Sequence, residues 1–284
     1  MQVILRDFIN RKIKPILEEK LQSIFRISLE KAAKEQGLKS LADKLAEIVP
    51  DLTDQYSTFK VDSPYLETDV RNLHAFQISL VNEAILGLEK ITVVDLGDSS
   101  GTHLQYIKRI FPSVASFKFV GVNSDPVAVK RIKRKGFDAI CARVEELDGH
   151  NINADIFLCF ELLEHLMDPC HLLHWLSSKT NAKYLIITVP YLKKSRIGLD
   201  YIRKRIKDNF YAENTHIFEL NPTDWKLLMR FSGWEVKYER IYLQYPKRSL
   251  FRCIKFLWNI FDYEGFYGAI LVKNNELPSK YRDW

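Results

Sequence analysis

The feature that most constrains this chain is a change of sequence pattern near residue 90. From residue 91 onward, short β-branched runs alternate with segments of helix-forming composition. Strict strand–helix alternation requires right-handed crossovers and gives a parallel sheet with helices on both faces. Two later runs follow a polar, basic stretch and complete the set of predicted strands. The seven predicted strands span 91–96, 117–122, 137–142, 154–160, 183–190, 234–243 and 265–273.

The first 88 residues have a different pattern, in which apolar residues recur at helical spacing. They predict helices that begin near Pro15, near Leu38 and near Glu67. We therefore expect an N-terminal helical extension over residues 1–88 and an α/β domain over residues 89–284. The third helix carries a stripe formed by Leu73, Gln77, Leu80 and Ala84.

The composition is that of a globular protein. Hydrophobic residues make up 46% and charged residues 27% of the 284 residues, which excludes a disordered or low-complexity function. The four cysteines form no CxxC pair, so we expect neither a disulfide scaffold nor a cysteine zinc site. The beginning of the chain lacks a signal-peptide pattern, and no run approaches the ~18 apolar residues that span a bilayer. We therefore predict a cytoplasmic protein.

The net charge of +6 is unevenly distributed. Residues 1–90 carry 13 Lys/Arg and 14 Asp/Glu, whereas the remainder carries 29 and 22. A basic insertion at 192–214 would attract an anionic substrate. An insertion at 246–264 mixes cations with aromatic residues, which suits peripheral contact with an anionic membrane or a lipid-linked acceptor. Packing of this second insertion on its own domain is the alternative.

The turn after the first strand is the first candidate site. Ligands of open parallel sheets bind beyond the carboxyl ends of the strands, and here Asp95 is followed by Gly97 and Gly101. Glycine lets the backbone approach a ligand closely, although such a turn also serves simply to pack a helix on a strand. Ser99 stands where a GxGxxG dinucleotide site would need glycine, so that class of site is not predicted.

The fourth strand ends in Phe160-Glu161-Leu162-Leu163-Glu164-His165-Leu166-Met167-Asp168-Pro169. This block, taken with the glycine turn, resembles class I (Rossmann-like) S-adenosylmethionine-dependent methyltransferases of the small-molecule or sugar type. The resemblance covers about residues 91–273 and implies a seven-stranded, mostly parallel sheet with an antiparallel last strand. It further implies that the turn holding Gly97 and Gly101 faces the exit of strand four.

The resemblance implies a cofactor, S-adenosylmethionine, and the residues that bind it. The glycine turn surrounds the methionine part in that family. Asn123 occupies the position of the acid that binds the ribose, with Asp125 as a substitute two residues further on. Arg143 lies near the usual adenine-binding acid, and Val144 would cover the adenine face. The complete implied set is Asp95, Gly97, Ser99, Gly101, Asn123, Ser124, Arg143, Val144, Phe160 and Glu161.

Catalytic residues are expected on two segments. Glu161, Glu164 and His165 form an E-x-x-E-H arrangement similar to that of ubiquinone-pathway O-methyltransferases, where these side chains can bind Mg²⁺; a packing role for His165 without metal is the alternative. His216 belongs to a stretch that resembles the region after strand five in small-molecule and sugar methyltransferases. Its imidazole can act as a base near neutral pH, and a purely structural hydrogen bond remains the other interpretation.

These observations favour methyl transfer to a small-molecule or sugar-type acceptor, with a hydroxyl oxygen as the expected methylated atom. A catalytically inactive relative that serves as a binding or assembly module is the first alternative. A nucleic-acid methyltransferase is less favoured, because strand four is not followed by an Asn/Asp-Pro-Pro-Tyr/Phe motif. The acidic pair Glu161 and Glu164 would also repel a phosphate backbone, so no nucleic-acid partner is expected.

Overall fold

A computed structural model describes residues 14–57, 60–88, 90–112, 116–198, 215–244 and 263–280 of the chain. The predicted basic insertion therefore lies outside the described residues from 199 to 214, and the predicted aromatic insertion from 245 to 262. None of the described helices combines the length and the hydropathy of a membrane-spanning segment.

Seven α-helices are described. The starts of four of them are fixed by a side-chain cap followed by proline, a residue favoured in the first helical turn: Ser63 caps α3, Asp125 caps α5, Asp168 caps α6 and Asn221 caps α7. The helices are α1 (Lys14–Glu35), α2 (Lys39–Ile48), α3 (Pro64–Ile85), α4 (Thr102–Ile110), α5 (Pro126–Arg134), α6 (Pro169–Lys179) and α7 (Pro222–Phe231). Short 3₁₀ helices span Val144–Gly149, Leu163–His165 and Pro278–Lys280.

The strands form a seven-stranded sheet and a separate two-stranded pair. The large sheet has the order β3-β2-β1-β4-β5-β9-β8. The first five strands of this order, from β3 to β5, are parallel. β9 runs antiparallel to both β5 and β8. The strands are β1 (Lys90–Leu96), β2 (Ser116–Asn123), β3 (Asp138–Cys141), β4 (Ile156–Phe160), β5 (Tyr184–Leu192), β6 (Arg196–Ile197), β7 (Phe218–Glu219), β8 (Trp234–Leu243) and β9 (Tyr263–Lys273).

This architecture confirms the predicted fold class, a Rossmann-like, mostly parallel seven-stranded sheet with helices on both faces and an N-terminal helical segment. The strand register aligns the carboxyl ends of the central strands. Leu96 of β1 pairs with Cys159 of β4, and Phe160 pairs with Thr188 of β5. The residues that follow β1 and β4 therefore lie at one edge of the sheet.

The two faces of the sheet are covered by different helices. Val93 belongs to a buried cluster with residues of α1, α2, α3 and α4, whereas Val94 belongs to a cluster with α6 and α7. α3 packs closely on the sheet, since a Cβ atom added to Gly268 of β9 would lie 2.5 Å from Leu80 Cδ1. The N-terminal helices thus share a core with the strands. The proposed boundary at residue 88 stays a prediction.

Candidate active site

The glycine turn after β1 adopts the conformation that its glycines permit. Gly97 and Gly101 have φ values of +79° and +77°, a left-handed region that glycine enters without strain. Ser99 does not have a positive φ, so serine is tolerated at this position of the turn. A Cβ atom on Gly97 would lie 3.1 Å from Leu162 Cδ1. The turn therefore contacts the exit of β4, as the sequence predicted.

Asp98 holds the turn together from inside. Its Oδ1 accepts hydrogen bonds from the backbone N–H groups of Ser100 (3.1 Å) and Gly101 (2.5 Å). Its Oδ2 is buried and has no hydrogen-bond partner among the described residues. Burial, reinforced by the neighbouring Asp95, raises the pKa of Asp98 to about 7. The carboxyl group that accepts hydrogen bonds from the turn therefore stays protonated to a higher pH than an exposed aspartic acid.

We expect Asp98→Asn to flatten the pH dependence of stability. The pKa of Asp98 is about 7 in the folded protein and has its ordinary value of 3.8 in the unfolded chain. Between pH 3.8 and 7, the native state therefore keeps a proton that the unfolded chain has lost. The stabilisation from Asp98 is therefore complete below about pH 4 and is lost as the pH rises through 7. Asparagine keeps the Oδ1 acceptor and has no ionisable group, so its side chain does not change charge with pH.

The measurement is the melting temperature of both proteins from pH 4 to 8. The melting temperature of Asp98→Asn should rise relative to that of the wild type as the pH increases. Asp62→Asn, at an exposed position, is the control. Asp95, His103 and Lys135 also face this carboxyl group, but they remain in both proteins. Parallel curves for the wild type and Asp98→Asn would contradict the expectation.

The residues predicted to bind the ribose have partners within the chain. The Asn123 amide donates to the backbone oxygen of Asp98 (3.0 Å), and Asn123 Oδ1 accepts from the backbone N–H of Asp125 (2.7 Å). Asp125 caps α5 through the Val127 N–H and accepts a hydrogen bond from the Ser57 hydroxyl (2.6 Å). Asn123 thus ties the glycine turn to the end of β2. Asp125 acts as a helix cap in this structure.

The residues predicted near adenine and ribose differ in burial. Val144 is buried in the core, whereas Ser124 and Arg143 are exposed. The Arg143 guanidinium pairs with the carboxylates of Glu145 (3.2 Å) and Glu146 (3.7 Å). Their roles in cofactor binding stay predictions.

A line of buried hydrogen bonds joins the ends of β1 and β5. His103 contacts Asp95 through Nδ1 (3.1 Å) and Gln77 through Nε2 (3.0 Å), and Gln77 Nε2 donates to Thr188 Oγ1 (3.1 Å). Burial opposes a charged imidazole, but the Asp95 carboxylate outweighs it and raises the pKa of His103. The backbone N–H of Glu161 donates to the backbone oxygen of the same residue, Thr188 (2.9 Å). The line therefore leads from the glycine turn to the exit of β4.

Glu161 occupies a strained position at that exit. Its φ of +48° makes it the one non-glycine residue with positive φ in the described part of the chain, and strain of this kind collects at functional sites. Burial raises the pKa of Glu161 to about 8. Burial and the nearby Glu161 also raise the pKa of Glu164, which is fully buried and has no hydrogen-bond partner for either carboxylate oxygen among the described residues.

The structure brings the two predicted catalytic histidines together. The rings of His165 and His216 lie 4.8 Å apart, edge to face. The backbone N–H of Ile217 donates to the backbone oxygen of Glu164 (2.6 Å) and so joins the His216 segment to the exit of β4. Phe160, the last residue of β4, instead packs against His103 on the side of the glycine turn.

Each of these histidines has one ring nitrogen oriented by a neighbour. His165 Nδ1 contacts the Thr215 backbone oxygen (2.9 Å), and His216 Nδ1 contacts Glu219 Oε1 (3.0 Å). Burial opposes ionisation of Glu219, but His216 and Arg196 outweigh it and lower its pKa. A backbone oxygen and an ionised carboxylate only accept hydrogen bonds, so both Nδ1 atoms carry the proton. In the neutral rings, Nε2 therefore carries the lone pair.

Sequence reasoning missed several residues of this site. Gln77 belongs to the predicted stripe of α3, and its signal in the sequence was that it is the one polar residue among apolar ones. Thr188 is the one polar residue in the run 185–190 of β5, and Glu219 lies three residues after His216. Gln55, whose Oε1 accepts from the Ser100 hydroxyl (2.9 Å) and the Thr102 hydroxyl (2.6 Å), carried no signal in the sequence.

A family comparison identifies the class of the protein. The profile of the family described as "Methyltransferase domain" matches residues 69–239, which is more than half of the chain. The chain therefore belongs to this methyltransferase family. It is a class I S-adenosylmethionine-dependent methyltransferase in fold and family, which confirms the resemblance drawn from the glycine turn and the strand-four block. No curated protein matches the chain.

Solved structures share this fold at low sequence identity. The [4+2]-cyclase SpnF is 11% identical, with a TM-score of 0.53 and coverage of 87% of this chain and 97% of SpnF. A putative sarcosine dimethylglycine methyltransferase from Galdieria sulphuraria is 12% identical, with a TM-score of 0.52 and coverage of 83% and 99%. The Burkholderia thailandensis 1,6-didemethyltoxoflavin N1-methyltransferase, solved with its substrate and S-adenosylhomocysteine, is 15% identical, with a TM-score of 0.50 and coverage of 71% and 78%.

The residues of the glycine turn fit the family's cofactor, S-adenosylmethionine. Two left-handed glycines shape the turn, and the Leu162 side chain lies beside Gly97, 3.1 Å from the position of an added Cβ atom. Magnesium, which the resemblance attached to Glu161, Glu164 and His165, is not supported by the comparisons. Among the described residues, two groups of side chains lie close enough to share a metal ion: Glu164, His165 and His216, and Asp95, Asp98 and His103.

Proposed function

We propose that this protein transfers the methyl group of S-adenosylmethionine to a hydroxyl oxygen of a small-molecule acceptor. The observation that carries the proposal is the arrangement at the sheet edge. A cofactor-type glycine turn contacts the exit of β4, and the same exit holds a pair of histidines with oriented Nδ1 atoms.

The donor side of the site is the turn after β1. Gly97, Gly101 and Asp95 are the residues that would hold the methionine part, with Leu162 packed beside Gly97. Asn123 and Val144 would serve the ribose and the adenine, as the family resemblance implies. The bound donor supplies an electrophilic methyl group, and the protein's task is to place it next to the acceptor oxygen.

The acceptor side is the pair formed by His216 and His165. His216 Nε2 carries the lone pair when the ring is neutral, because Glu219 holds the proton on Nδ1. Such a nitrogen can remove the proton of an acceptor hydroxyl, and the Glu219 carboxylate stabilises the imidazolium that forms. We assign His216 as the base, Glu219 as its positioning residue and His165 as a neighbouring polar contact.

A small molecule is the acceptor class that we favour. Burial keeps the Glu161 and Glu164 carboxyl groups uncharged near neutral pH, so the expected repulsion of a phosphate backbone does not apply. A nucleic-acid base is disfavoured instead because β4 is not followed by an Asn/Asp-Pro-Pro-Tyr/Phe motif. The toxoflavin-pathway neighbour carries a bound small-molecule substrate. An anionic or lipid-linked acceptor remains a further prediction, since most of the basic and aromatic insertions lie outside the described residues.

Replacement of His216 tests this assignment. With methyl-labelled S-adenosylmethionine and a protein-free metabolite extract, the wild type should produce a labelled small molecule. His216→Ala should lower the rate by about 10²–10⁴-fold, the usual contribution of a general base, while donor binding stays unchanged. His171→Ala, on the exposed side of α6, is the control and should keep full activity.

Three outcomes would contradict the proposal. Full turnover by a His216→Ala protein that binds the donor would remove the assigned base. Absence of saturable donor binding by the wild type would instead favour the alternative of an inactive binding or assembly module. Label found in RNA or DNA would favour the nucleic-acid alternative.

A further inference from the structure

We propose that a cavity at the amino-terminal end of β2 binds a small aromatic phosphate of the mononucleotide class. The cavity has a volume of about 440 Å³, which lies within the range of small-molecule pockets. Side chains from the end of α4, the start of β2 and the turn before β3 surround it. Its lining includes four phenylalanines and two lysines, namely Phe111, Phe117, Phe119, Phe137, Lys108 and Lys118.

The cavity exists because β3 begins later along the sheet than β2 does. Asp138, the first residue of β3, pairs with Val120 of β2, whereas β2 itself begins at Ser116. The first four residues of β2 therefore have no β3 residue beside them. The turn at Gly136 also leaves the space open, since a Cβ atom added there would meet no atom within 4 Å. The sheet thus has a recess at this corner.

This recess is separate from the candidate active site. The glycine turn and the exit of β4 lie at the carboxyl ends of the strands, whereas the recess lies at the opposite end of β2. Phe117 and Asn123 are near the two ends of that strand, and at about 3.3 Å per residue they are roughly 20 Å apart. A ligand in the recess would therefore leave the proposed donor and acceptor positions free.

The phenylalanines offer ring surface to a flat ligand. Phe119 and Phe137 form a floor, since each is only 7% exposed and their rings meet edge to face with centroids 5.5 Å apart. The Phe117 ring stacks on the Phe119 ring at a centroid distance of 4.9 Å and an interplanar angle of 17°. Phe117 and Phe111 are only partly buried. Nucleobases stack on such exposed rings because every base has a π-face.

The lysines provide charge that the described residues do not neutralise. Lys108 and Lys118 are exposed, and neither forms an ion pair within the described part of the chain. Lys108 Nζ lies 5.6 Å from the centroid of the Phe137 ring, so one ammonium group is next to the aromatic floor. Asp138 is the one acidic residue of the described lining. A phosphate monoester carries about two negative charges near pH 7, which matches two unpaired ammonium groups.

The test is a calorimetric titration of the full chain with adenosine 5′-monophosphate. The wild type should bind one molecule per chain. Because the methyl donor also contains adenosine, the titration is repeated with S-adenosylhomocysteine at saturating concentration, and the nucleotide should still bind. Adenosine and inorganic phosphate, each titrated alone, should bind at least 10-fold more weakly, since each makes only part of the contacts.

Variants of the lining locate the bound nucleotide. Lys108→Glu and Lys118→Glu should each lower its affinity by at least 10-fold, because each reverses a charge beside the phosphate. Phe117→Leu keeps an apolar side chain and removes the ring, so it should lower the affinity by at least 5-fold. Lys179→Glu, at an exposed position of α6, makes the same charge change outside the cavity and should leave the affinity unchanged. Melting curves verify that each variant folds.

Three results would overturn the proposal. The first is that the wild type shows no saturable nucleotide binding. The second is that S-adenosylhomocysteine displaces the nucleotide, which would place it in the donor site. The third is that the Lys108→Glu/Lys118→Glu double variant binds as tightly as Lys179→Glu. The site does not rest on the proposed function: a chain that binds the nucleotide but no S-adenosylhomocysteine would reject donor binding and keep the second site.

Discussion

Gly97→Val should reduce the affinity for S-adenosylmethionine by at least 100-fold. Gly97 has a φ of +79° and faces Leu162, so a side chain here meets two obstacles. A β-branched residue at positive φ is a true conformational outlier. Its methyl groups would also push Leu162 and fill the space that the family resemblance assigns to the methionine part. Gly97→Ala should give a smaller loss, because one methyl group displaces only the flexible end of Leu162.

Calorimetric titration with S-adenosylmethionine measures these affinities. Gly136→Val is the matched control, since Gly136 has nearly the same φ (+80°) and no atom within 4 Å of an added Cβ. It should lose stability from backbone strain and keep its donor affinity. Equal affinities for the wild type and a folded Gly97→Val protein would remove the turn from the donor site.

The architecture could be predicted because its signals are local. Alternating apolar runs marked all seven strands of the large sheet. The predicted start of α3 near Glu67 is three residues late, because the Ser63 cap and the proline after it set the start at Pro64. The β6–β7 pair was missed because each strand has only two residues. Such short segments have no periodicity to detect.

The candidate site could be predicted only in part. The glycine turn and the Glu-x-x-Glu-His block lie in continuous stretches of sequence, so their residues were found. The contacts between His165 and His216, and between Gln77 and His103, join residues far apart in the chain. They arise when α3 and the segment after β5 pack on the sheet edge. Asp125 was considered for the ribose because of its position, and the structure uses it to cap α5.

A second large effect is expected for stability at the closing strand of the sheet. Gly265, with a φ of +151°, begins the tight pairing of β9 with β8, and a Cβ atom there would lie 1.9 Å from the backbone oxygen of Tyr242. Backbone atoms within a sheet cannot move aside as a side chain can. Strain at positive φ costs roughly 1–2 kcal/mol and overpacking about 1–3 kcal/mol. Gly265→Ala should therefore lower the free energy of unfolding by about 2–5 kcal/mol.

Two further glycines separate the sources of this loss in denaturant unfolding experiments. Gly136→Ala introduces strain alone, since φ is +80° and no atom lies within 4 Å, so it should lose about 1–2 kcal/mol. Gly149 has neither a positive φ nor a close neighbour, so Gly149→Ala should change stability very little. If Gly265→Ala is as stable as Gly136→Ala, the N-terminal end of β9 does not pair with β8 as described. The antiparallel edge that completes the sheet would then need a different register.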